Sequence, residues 1–370
     1  MKLGLLTAPF PATPLDAVAD WTAENGFTTI EIACWPASSG DARRYAGTSH
    51  IDVDGLSDAQ AGEIVDRMNR RGLEISGLGY YPNPLHPDAE HSRMVIDHLK
   101  KVIVAAGKMQ VPVVNTFIGA DRALTQDENW EKARHVWPEI VAAAQSEGVK
   151  IAIENCPMIF SSDEWPAGHN LAYNPTIWRR MFDEFGETVG LNFDPSHLVW
   201  LMIDIERAIL EFGERFYHFQ AKDVMIDYEG LYENGSLSSG IGWQIPRLPG
   251  LGHVDWGVVF SALYRVGYDG PIIIEHEDRG FEETDELVKR GFLIARDVLA
   301  LPSPTGPIPE ARLNAWGGSL ALGNPFGGTG IRMLLTAARR LRESPGRYAV
   351  VATCAGGGLG AAILLERPDR

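Results

Sequence analysis

The chain has 370 residues, enough for two or three domains or for one large α/β barrel with an appendage, which excludes a small single-core module. Hydrophobic residues make up 45% of the chain and charged residues 22%, so disordered, collagen-like and disulfide-scaffold proteins are excluded. The formal net charge of -16 repels nucleic-acid phosphates, and we therefore expect no nucleic-acid partner.

The beginning of the chain predicts no targeting segment. Its apolar stretch is short, is interrupted by prolines and is followed by acidic residues, so we expect neither a signal peptide nor a membrane span. Three scattered cysteines, Cys34, Cys156 and Cys354, are too few for a disulfide framework in a chain of this length. Together these features predict a cytoplasmic protein.

Short apolar runs alternate with amphipathic stretches up to about residue 300. The runs are KLGLL, TTIEIA, LEISGLGY, VPVVNTF, KIAIEN, VGLNFD, FYHFQAK and PIIIEHE. Most of them are apolar throughout, which is typical of parallel strands covered on both faces. They predict an α/β protein with a closed (β/α)8 TIM barrel. The alternative is a doubly wound open sheet, but its Gly-rich nucleotide-binding turn is missing after the first two runs.

The stretches between the runs predict helices. Examples are DAQAGEIVDRMNRRG, SRMVIDHLKKVIVAAGK, NWEKARHVWPEIVAAAQSEG, DIERAILEFG and VDWGVVFSALYRVG. Several of them end in glycine, which predicts a left-handed cap at the end of the helix.

Polar side chains recur at the ends of the last four predicted strands. They are Glu154 and Asn155, then Asp194 and His197, then Gln220, Lys222 and Asp223, and finally Glu275 and Glu277. The carboxyl ends of barrel strands meet at one face, where the active site lies. Carboxylates crowded at that face repel each other unless a cation neutralises them, which predicts a divalent metal. A solvated loop residue or a helix cap is the alternative for each single side chain.

These motifs resemble a known family. IAIEN, NFDPSH, HFQAKD and IIIEHED, with YYPNPLHPD and LPGLGHVDW, are similar to the motifs of the xylose-isomerase-like TIM barrels. That family includes sugar-phosphate isomerases, ketose 3-epimerases and inosose-processing enzymes. The resemblance covers residues 1–300, and we expect the barrel domain to span residues 1–301. It implies four metal ligands, namely Glu154, Asp194, Gln220 and Glu275.

Gln220 departs from the family, in which most members have a histidine at this position. The implied ligands are then three carboxylates and one amide oxygen, and such a set favours Mn²⁺ or Mg²⁺ over Zn²⁺. A degraded site that binds no metal is the alternative.

The resemblance implies an isomerase or epimerase that acts through an enediolate. The metal would bind the substrate carbonyl and a neighbouring hydroxyl, while Glu154 and Glu275 transfer protons. The substrate would be a sugar, a sugar phosphate, an inosose or another polyol. The residues expected to contact it are His197, Lys222, Glu31 and Tyr80. As alternatives, Lys222 pairs with Asp223, and Glu31 caps a loop.

The chain changes character at residue 302. LPSPTGPIPEARLN predicts a Pro-rich linker over residues 302–312. Residues 313–370 resemble the C-terminal part of a thiolase through LNAWGGSLALGNPFGGTG and YAVVATCAGGGLGAAILLER. By this resemblance Cys354 falls on the family's acid–base cysteine and Asn324 replaces its histidine. The acyl-accepting nucleophile belongs to a part of the thiolase that has no counterpart here, so thiolase turnover is not expected.

The thiolase-like segment is too small to be stable without a partner surface. It could pack on the barrel, pair with another copy, complement a separate thiolase or be a remnant of gene fusion. The barrel family often forms homodimers, so a second copy and a thiolase are both candidate partners. Besides the isomerase or epimerase, two functional alternatives stay open. One is a catalytically impaired carbohydrate-binding barrel, and the other is an acyl-CoA-related role of the tail.

Overall fold

The computed structural model describes residues 1–36, 47–157, 168–236, 242–299, 329–343, 346–355 and 359–367. The chain divides into two compact units, Met1–Leu301 and Pro302–Arg370. Each unit is described by itself.

The described part of the first unit contains ten strands. They are β1 (Lys2–Leu6), β2 (Thr29–Ala33), β3 (Glu74–Gly79), β4 (Val113–Thr116), β5 (Lys150–Glu154), β6 (Val189–Phe193), β7 (Phe216–Ala221), β8 (Asp223–Ile226), β9 (Gln244–Arg247) and β10 (Pro271–Ile274). All except β8 and β9 form a closed barrel in the order β1-β2-β3-β4-β5-β6-β7-β10, and β10 pairs with β1. Every pair in the barrel is parallel. The predicted (β/α)8 TIM barrel is therefore confirmed.

Ten helices of this unit are described. They are α1 (Leu15–Glu24), α2 (Asp58–Arg70), α3 (Ala89–Met109), α4 (Gln126–Glu147), α5 (Pro175–Phe185), α6 (Pro195–Trp200), α7 (Ile205–Phe212), α8 (Tyr228–Asn234), α9 (Trp256–Arg265) and α10 (Asp285–Leu299). Gly148 caps α4 in the left-handed conformation, as predicted, with φ of 68°. At the end of α3 the residue in the left-handed conformation is Gln110, and Gly107 lies inside the last turn of that helix. None of the described helices has the length and apolarity needed to cross a bilayer.

The apolar runs are buried on both sides of the strands. All five residues of β2 and all five of β6 are buried, because the helices cover the outer face of the barrel and side chains fill its inside. Three tryptophans, Trp130, Trp137 and Trp178, are fully buried and come from helices α4 and α5. Each such side chain contributes about 3 kcal/mol of hydrophobic free energy. This burial fixes the strand ends that carry the polar residues.

The strands β8 and β9 form an antiparallel hairpin outside the barrel, which the sequence pattern did not predict. Asp223, at the start of β8, is fully buried and holds the loop after this hairpin. Its carboxylate accepts hydrogen bonds from Gly250 N at 3.0 Å, Val254 N at 2.9 Å and Trp256 Nε1 at 3.0 Å. It also accepts from Val224 N at 2.8 Å. One carboxylate therefore anchors the segment that leads into α9.

We expect Asp223→Ala to lower the free energy of unfolding by about 3 kcal/mol, because it leaves buried N–H donors without an acceptor. Asp255→Ala is the matched control, since the Asp255 carboxylate accepts from Val258 N and only caps α9. Loss of that cap should cost about 1 kcal/mol. Urea unfolding of both variants measures the difference. Equal losses would contradict the anchoring role of Asp223.

The second unit contains the helix α11 (Thr329–Glu343) and the strands β11 (Tyr348–Ala355) and β12 (Leu359–Glu366). The strands form an antiparallel hairpin in which Cys354 lies opposite Gly360. Several apolar side chains of the helix and of the hairpin are exposed, namely Ile331, Leu335, Tyr348, Val350, Ile363 and Leu364. The predicted linker over residues 302–312 and Asn324 lie outside the described residues.

Candidate functional site

Three carboxylates meet at the carboxyl end of the barrel. Glu154 is the last residue of β5, Asp194 follows β6, and Glu275 follows β10. One carboxylate oxygen of each residue lies within 4.8 Å of the other two. Glu154 and Asp194 are 3% and 0% exposed, and the Glu275 side chain is 12% exposed. The barrel thus brings together three of the four predicted ligands in a buried cluster.

Lys222 lies among these carboxylates. Its Nζ atom is 3.1 Å from Asp194 Oδ2, 2.8 Å from Glu275 Oε2 and 3.1 Å from Glu277 Oε2. The Lys222 side chain is only 4% exposed. Water therefore screens these ion pairs poorly, and the ammonium group compensates much of the negative charge of the cluster. The sequence offered Asp223 as an alternative partner of Lys222. The Asp223 carboxylate instead accepts hydrogen bonds from the segment that leads into α9.

His197 is the second cationic group of the cluster. Its Nε2 atom lies 3.0 Å from Asp194 Oδ2 and 3.4 Å from Glu154 Oε1. Asp194 positions it, because the Asp194 side chain accepts a hydrogen bond from Ser196 N and so begins helix α6, on which His197 lies. Neither ring nitrogen of His197 has a hydrogen-bond partner of good geometry.

The pKa values of the carboxyl groups move in opposite directions. Burial raises the pKa of Glu154 and raises that of Glu275 well above its usual range, although Lys222 opposes both shifts. Burial also disfavours ionisation of Asp194, but Lys222 and His197 outweigh it and hold the Asp194 pKa below its usual range. Carboxyl groups separated in this way can divide the roles of proton carrier and fixed anion.

Gln220, the fourth predicted ligand, is fully buried near the end of β7. Its Nε2 atom donates to the Tyr81 hydroxyl at 2.9 Å and lies 3.4 Å from Glu31 Oε2. The amide orientation is fixed by these acceptors. Its Oε1 atom is buried without a hydrogen-bond partner. An orphaned buried acceptor is costly, and a cation would satisfy it.

Glu31, at the centre of β2, belongs to a buried polar network below the carboxylates. The Tyr81 hydroxyl donates to its carboxylate, and Asn192 Nδ2 lies 3.2 Å from the same hydroxyl. Asn192 Oδ1 is in turn 2.9 Å from His218 Nδ1. Burial raises the pKa of Glu31 to about 7, although Tyr81 lowers it through its hydrogen bond. Glu31 therefore titrates near neutral pH.

Because folded Glu31 keeps a proton that the unfolded chain releases above pH 4.5, we expect stability to fall as pH rises from 4.5 through about 7. The full loss from this group amounts to about 3 kcal/mol. The Gln side chain in the Glu31→Gln variant does not titrate, so this variant should lack this part of the pH dependence of the free energy of unfolding. Urea unfolding between pH 5 and 8 at several pH values, without added metal, measures it. Identical slopes for the two proteins would contradict the raised pKa.

Tyr80, a predicted substrate contact, lies in an aromatic cluster. The Tyr80 ring packs 5.9 Å from Trp35 and 4.5 Å from His98, measured between ring centroids. Its neighbour Tyr81 reaches Glu31 and Gln220, a polar role that the sequence did not assign.

The sequence analysis also missed Cys156 as a possible metal ligand. Its spacing of two residues from Glu154 is a signal that both side chains lie on the same side of an extended chain.

The protein is a (β/α)8 barrel that carries a cluster of three carboxylates at the carboxyl ends of its strands. The family model "Xylose isomerase-like TIM barrel" matches residues 19–297, and the chain belongs to that family. A second model, the C-terminal domain of thiolase, matches residues 286–367, so the tail is thiolase-like as the motifs predicted. Its match begins inside α10.

The chain is 28% identical over 311 residues to the uncharacterized protein YfiH of Bacillus subtilis, and the match covers 75% of this chain and 93% of that protein. The tail is 52% identical over 61 residues to a probable 3-ketoacyl-CoA thiolase of Caenorhabditis elegans. That match covers 16% of this chain and only 14% of the thiolase.

Two solved structures share the barrel fold. One is D-psicose 3-epimerase with D-tagatose, from Clostridium cellulolyticum H10, with a TM-score of 0.58, 17% identity, and coverage of 81% of this chain and 98% of that chain. The other is the IOLI protein with a bound zinc atom, with a TM-score of 0.59, 16% identity and coverage of 81% and 98%. At this level of identity the likeness concerns the fold.

Proposed function

We propose that this protein is a divalent-metal-dependent isomerase or epimerase that acts on a sugar, a sugar phosphate or an inosose. The observation that carries the proposal is the buried cluster of Glu154, Asp194 and Glu275, whose carboxylate oxygens lie within 4.8 Å of one another. Three carboxylates that converge in this way offer the oxygen donors with which proteins hold divalent cations, and a cation could displace the Lys222 ammonium group from them. The epimerase and the zinc-bound protein of the same fold support this class of chemistry.

The residues fit a hard divalent cation. Glu154, Asp194 and Glu275 supply carboxylate oxygens, and the Gln220 Oε1 atom is a buried acceptor without a partner. An all-oxygen set of this kind favours Mn²⁺ or Mg²⁺. Replacement of the family's histidine by Gln220 therefore changes the preferred metal and keeps the number of donors.

Held by these residues, a metal would supply Lewis-acid polarisation of the substrate carbonyl and would stabilise negative charge on its oxygen. Glu154 and Glu275 lie on β5 and after β10, with two strands between them around the barrel. They would therefore approach a substrate bound at the cluster from different strands. With raised pKa values, either group can hold a proton near neutral pH, so one removes the proton next to the carbonyl and the other returns it. Return to the opposite face gives epimerisation, and return to the neighbouring carbon gives isomerisation.

Lys222 and His197 would contact the substrate oxygens. Both are buried, both are next to Asp194, and both remain protonated, because the pKa of each lies well above its usual range despite burial. A protonated donor at this position can stabilise an oxyanion as it forms.

A carbohydrate-binding barrel without turnover is the second candidate, and the observation that favours it is Gln220 in place of the family's usual histidine. An acyl-CoA-related role is the third candidate and concerns the tail alone, where Cys354 lies on β11. The chain spans only a small part of the thiolase that it matches. We therefore attach the proposed activity to the barrel.

Proton exchange tests the proposal. The full-length protein with Mn²⁺ is incubated in deuterium oxide with ketoses, aldoses and inososes, with and without a phosphate group. We expect deuterium to enter one substrate at the carbon next to the carbonyl, and to do so only when metal is present. Binding of a sugar with no metal-dependent exchange would overturn the proposal in favour of the binding barrel.

A further inference from the structure

A second set of metal-ligand side chains lies beside the carboxylates. Cys156 and His197 bring a thiol and an imidazole next to Glu154, and one ligand atom of each of these three residues lies within 4.8 Å of the other two. We propose that Glu154, Cys156 and His197 form a separate binding site for Zn²⁺ and similar soft divalent cations. This site goes beyond the proposed activity and does not depend on it.

The fold explains why these three side chains converge. Cys156 comes two residues after Glu154, and side chains with this spacing lie on the same side of an extended chain. His197 lies in the first turns of α6, which begins at Asp194 directly after the neighbouring strand β6. The end of one strand and the start of the next helix therefore supply all three donors.

His197 is the observation that points to a ligand. It is 8% exposed; its Nδ1 atom is buried without a hydrogen-bond partner, and its Nε2 atom has only the ion-pair contacts with Asp194 and Glu154. Buried imidazole nitrogens normally have a hydrogen-bond partner, since burying one without a partner costs free energy. A metal ion between His197, Glu154 and Cys156 would take the place of the proton on one ring nitrogen, and its binding would release that proton and the proton of the thiol to solvent.

The chemistry of the donors distinguishes this set from the all-oxygen one. A thiolate, an imidazole and a carboxylate are the ligands of zinc, whereas Mn²⁺ and Mg²⁺ prefer oxygen alone. Three protein ligands leave the fourth tetrahedral position open, as in zinc sites that bind a further molecule. Cys156 is only partly buried, so an ion can enter.

Glu154 belongs to both sets, which couples them. A zinc ion held by Cys156 and His197 takes one carboxylate from the all-oxygen set. We therefore expect Zn²⁺ to weaken Mn²⁺ binding, so that the ratio of the two metals controls which set is filled.

Co²⁺ is the probe, because a Co²⁺–thiolate bond gives an ultraviolet charge-transfer band that oxygen ligands do not give. Metal-free full-length protein is titrated with Co²⁺, and we expect the band to appear with one equivalent. Cys156→Ser should abolish the band and weaken Co²⁺ binding at least about 100-fold, since loss of even an outer-shell partner typically costs about 10- to 100-fold. Cys34→Ser and Cys354→Ser are matched controls and should keep the band.

Absence of the band in the unmodified protein, or its survival in Cys156→Ser, would overturn the proposal. Glu275→Gln separates the two sets, because Glu275 belongs only to the oxygen set. This variant should lose Mn²⁺ binding and keep the Co²⁺–thiolate band, while Cys156→Ser should show the reverse. Loss of the band in Glu275→Gln would overturn the separate site. A normal band in a protein that never binds Mn²⁺ would sink the proposed function and leave this site standing.

Discussion

Glu154→Gln is expected to abolish stoichiometric Mn²⁺ binding and to lower metal-dependent proton exchange by at least about 100- to 10,000-fold, the usual contribution of a general acid or base. The substitution keeps the shape of the side chain and removes its charge. Since Glu154 is 3% exposed and its carboxylate lies within 4.8 Å of those of Asp194 and Glu275, the neutral amide oxygen leaves the buried cation with one negative charge fewer, which water cannot restore. Elemental analysis and Mn²⁺ titration measure the binding, and deuterium incorporation measures the exchange.

Glu277→Gln is the matched control for this experiment. Glu277 also contacts Lys222, at 3.1 Å, but its side chain is 29% exposed and it lies outside the metal-ligand groups of the described residues. We expect it to keep Mn²⁺ binding. Unchanged Mn²⁺ stoichiometry in Glu154→Gln would exclude Glu154 as a ligand and with it the proposed mechanism.

Lys222→Met is expected to lower the free energy of unfolding of the metal-free protein by about 3 kcal/mol, because removing one partner of a buried ion pair leaves uncompensated charge. Here three carboxylates lose their ammonium partner at once, namely those of Asp194, Glu275 and Glu277. This loss of stability should grow as pH rises, because the folded variant keeps protons on buried carboxyl groups that the unfolded chain releases.

Mn²⁺ should restore much of the stability that Lys222→Met removes. A ligand present at about 100 times its dissociation constant contributes about 2.7 kcal/mol, and a cation can take the place of the ammonium group. We expect a larger Mn²⁺ effect in the variant than in the unmodified protein, because Lys222 no longer competes for the carboxylates. Urea unfolding with and without Mn²⁺ measures both effects.

Lys101→Met serves as the control for Lys222→Met. Lys101 pairs with Asp54 on the surface, where its side chain is 47% exposed, and such pairs contribute at most about 1 kcal/mol. A Lys222→Met protein that is as stable as Lys101→Met, and that Mn²⁺ does not stabilise further, would contradict the compensating role of Lys222.

The barrel could be predicted because its signal is local and repeated. Each barrel strand is a short apolar run, and a parallel strand buried on both faces needs nothing else to be recognised. The hairpin of β8 and β9 was not predictable in this way. Its strands have four residues each, and most of those residues are only partly buried, so they carry neither a continuous apolar run nor a clear alternation.

The site was predictable as a set of strand ends but not as a set of contacts. Lys222 and Asp223 are adjacent in sequence, which suggested an ion pair, yet neighbouring residues of an extended chain point to opposite sides. Lys222 therefore meets the carboxylates, and Asp223 faces the loop before α9. The hydrogen bond from the Tyr81 hydroxyl to Glu31 likewise joins β2 to the segment just after β3, and it depends on the register in which these two strands pair.

The pairing of β1 with β10 also has a consequence for folding, because its partners are far apart in the sequence. Lys2 lies opposite Pro271 in that pair, so β1 meets this neighbour only after the residues between them have left the ribosome. A contact between such distant residues carries a large loop-closure entropy and forms late. Until then β1 has an unpaired edge, the kind of edge that leads to aggregation and that chaperones protect. Slow translation would therefore prolong the period in which the nascent chain needs a chaperone.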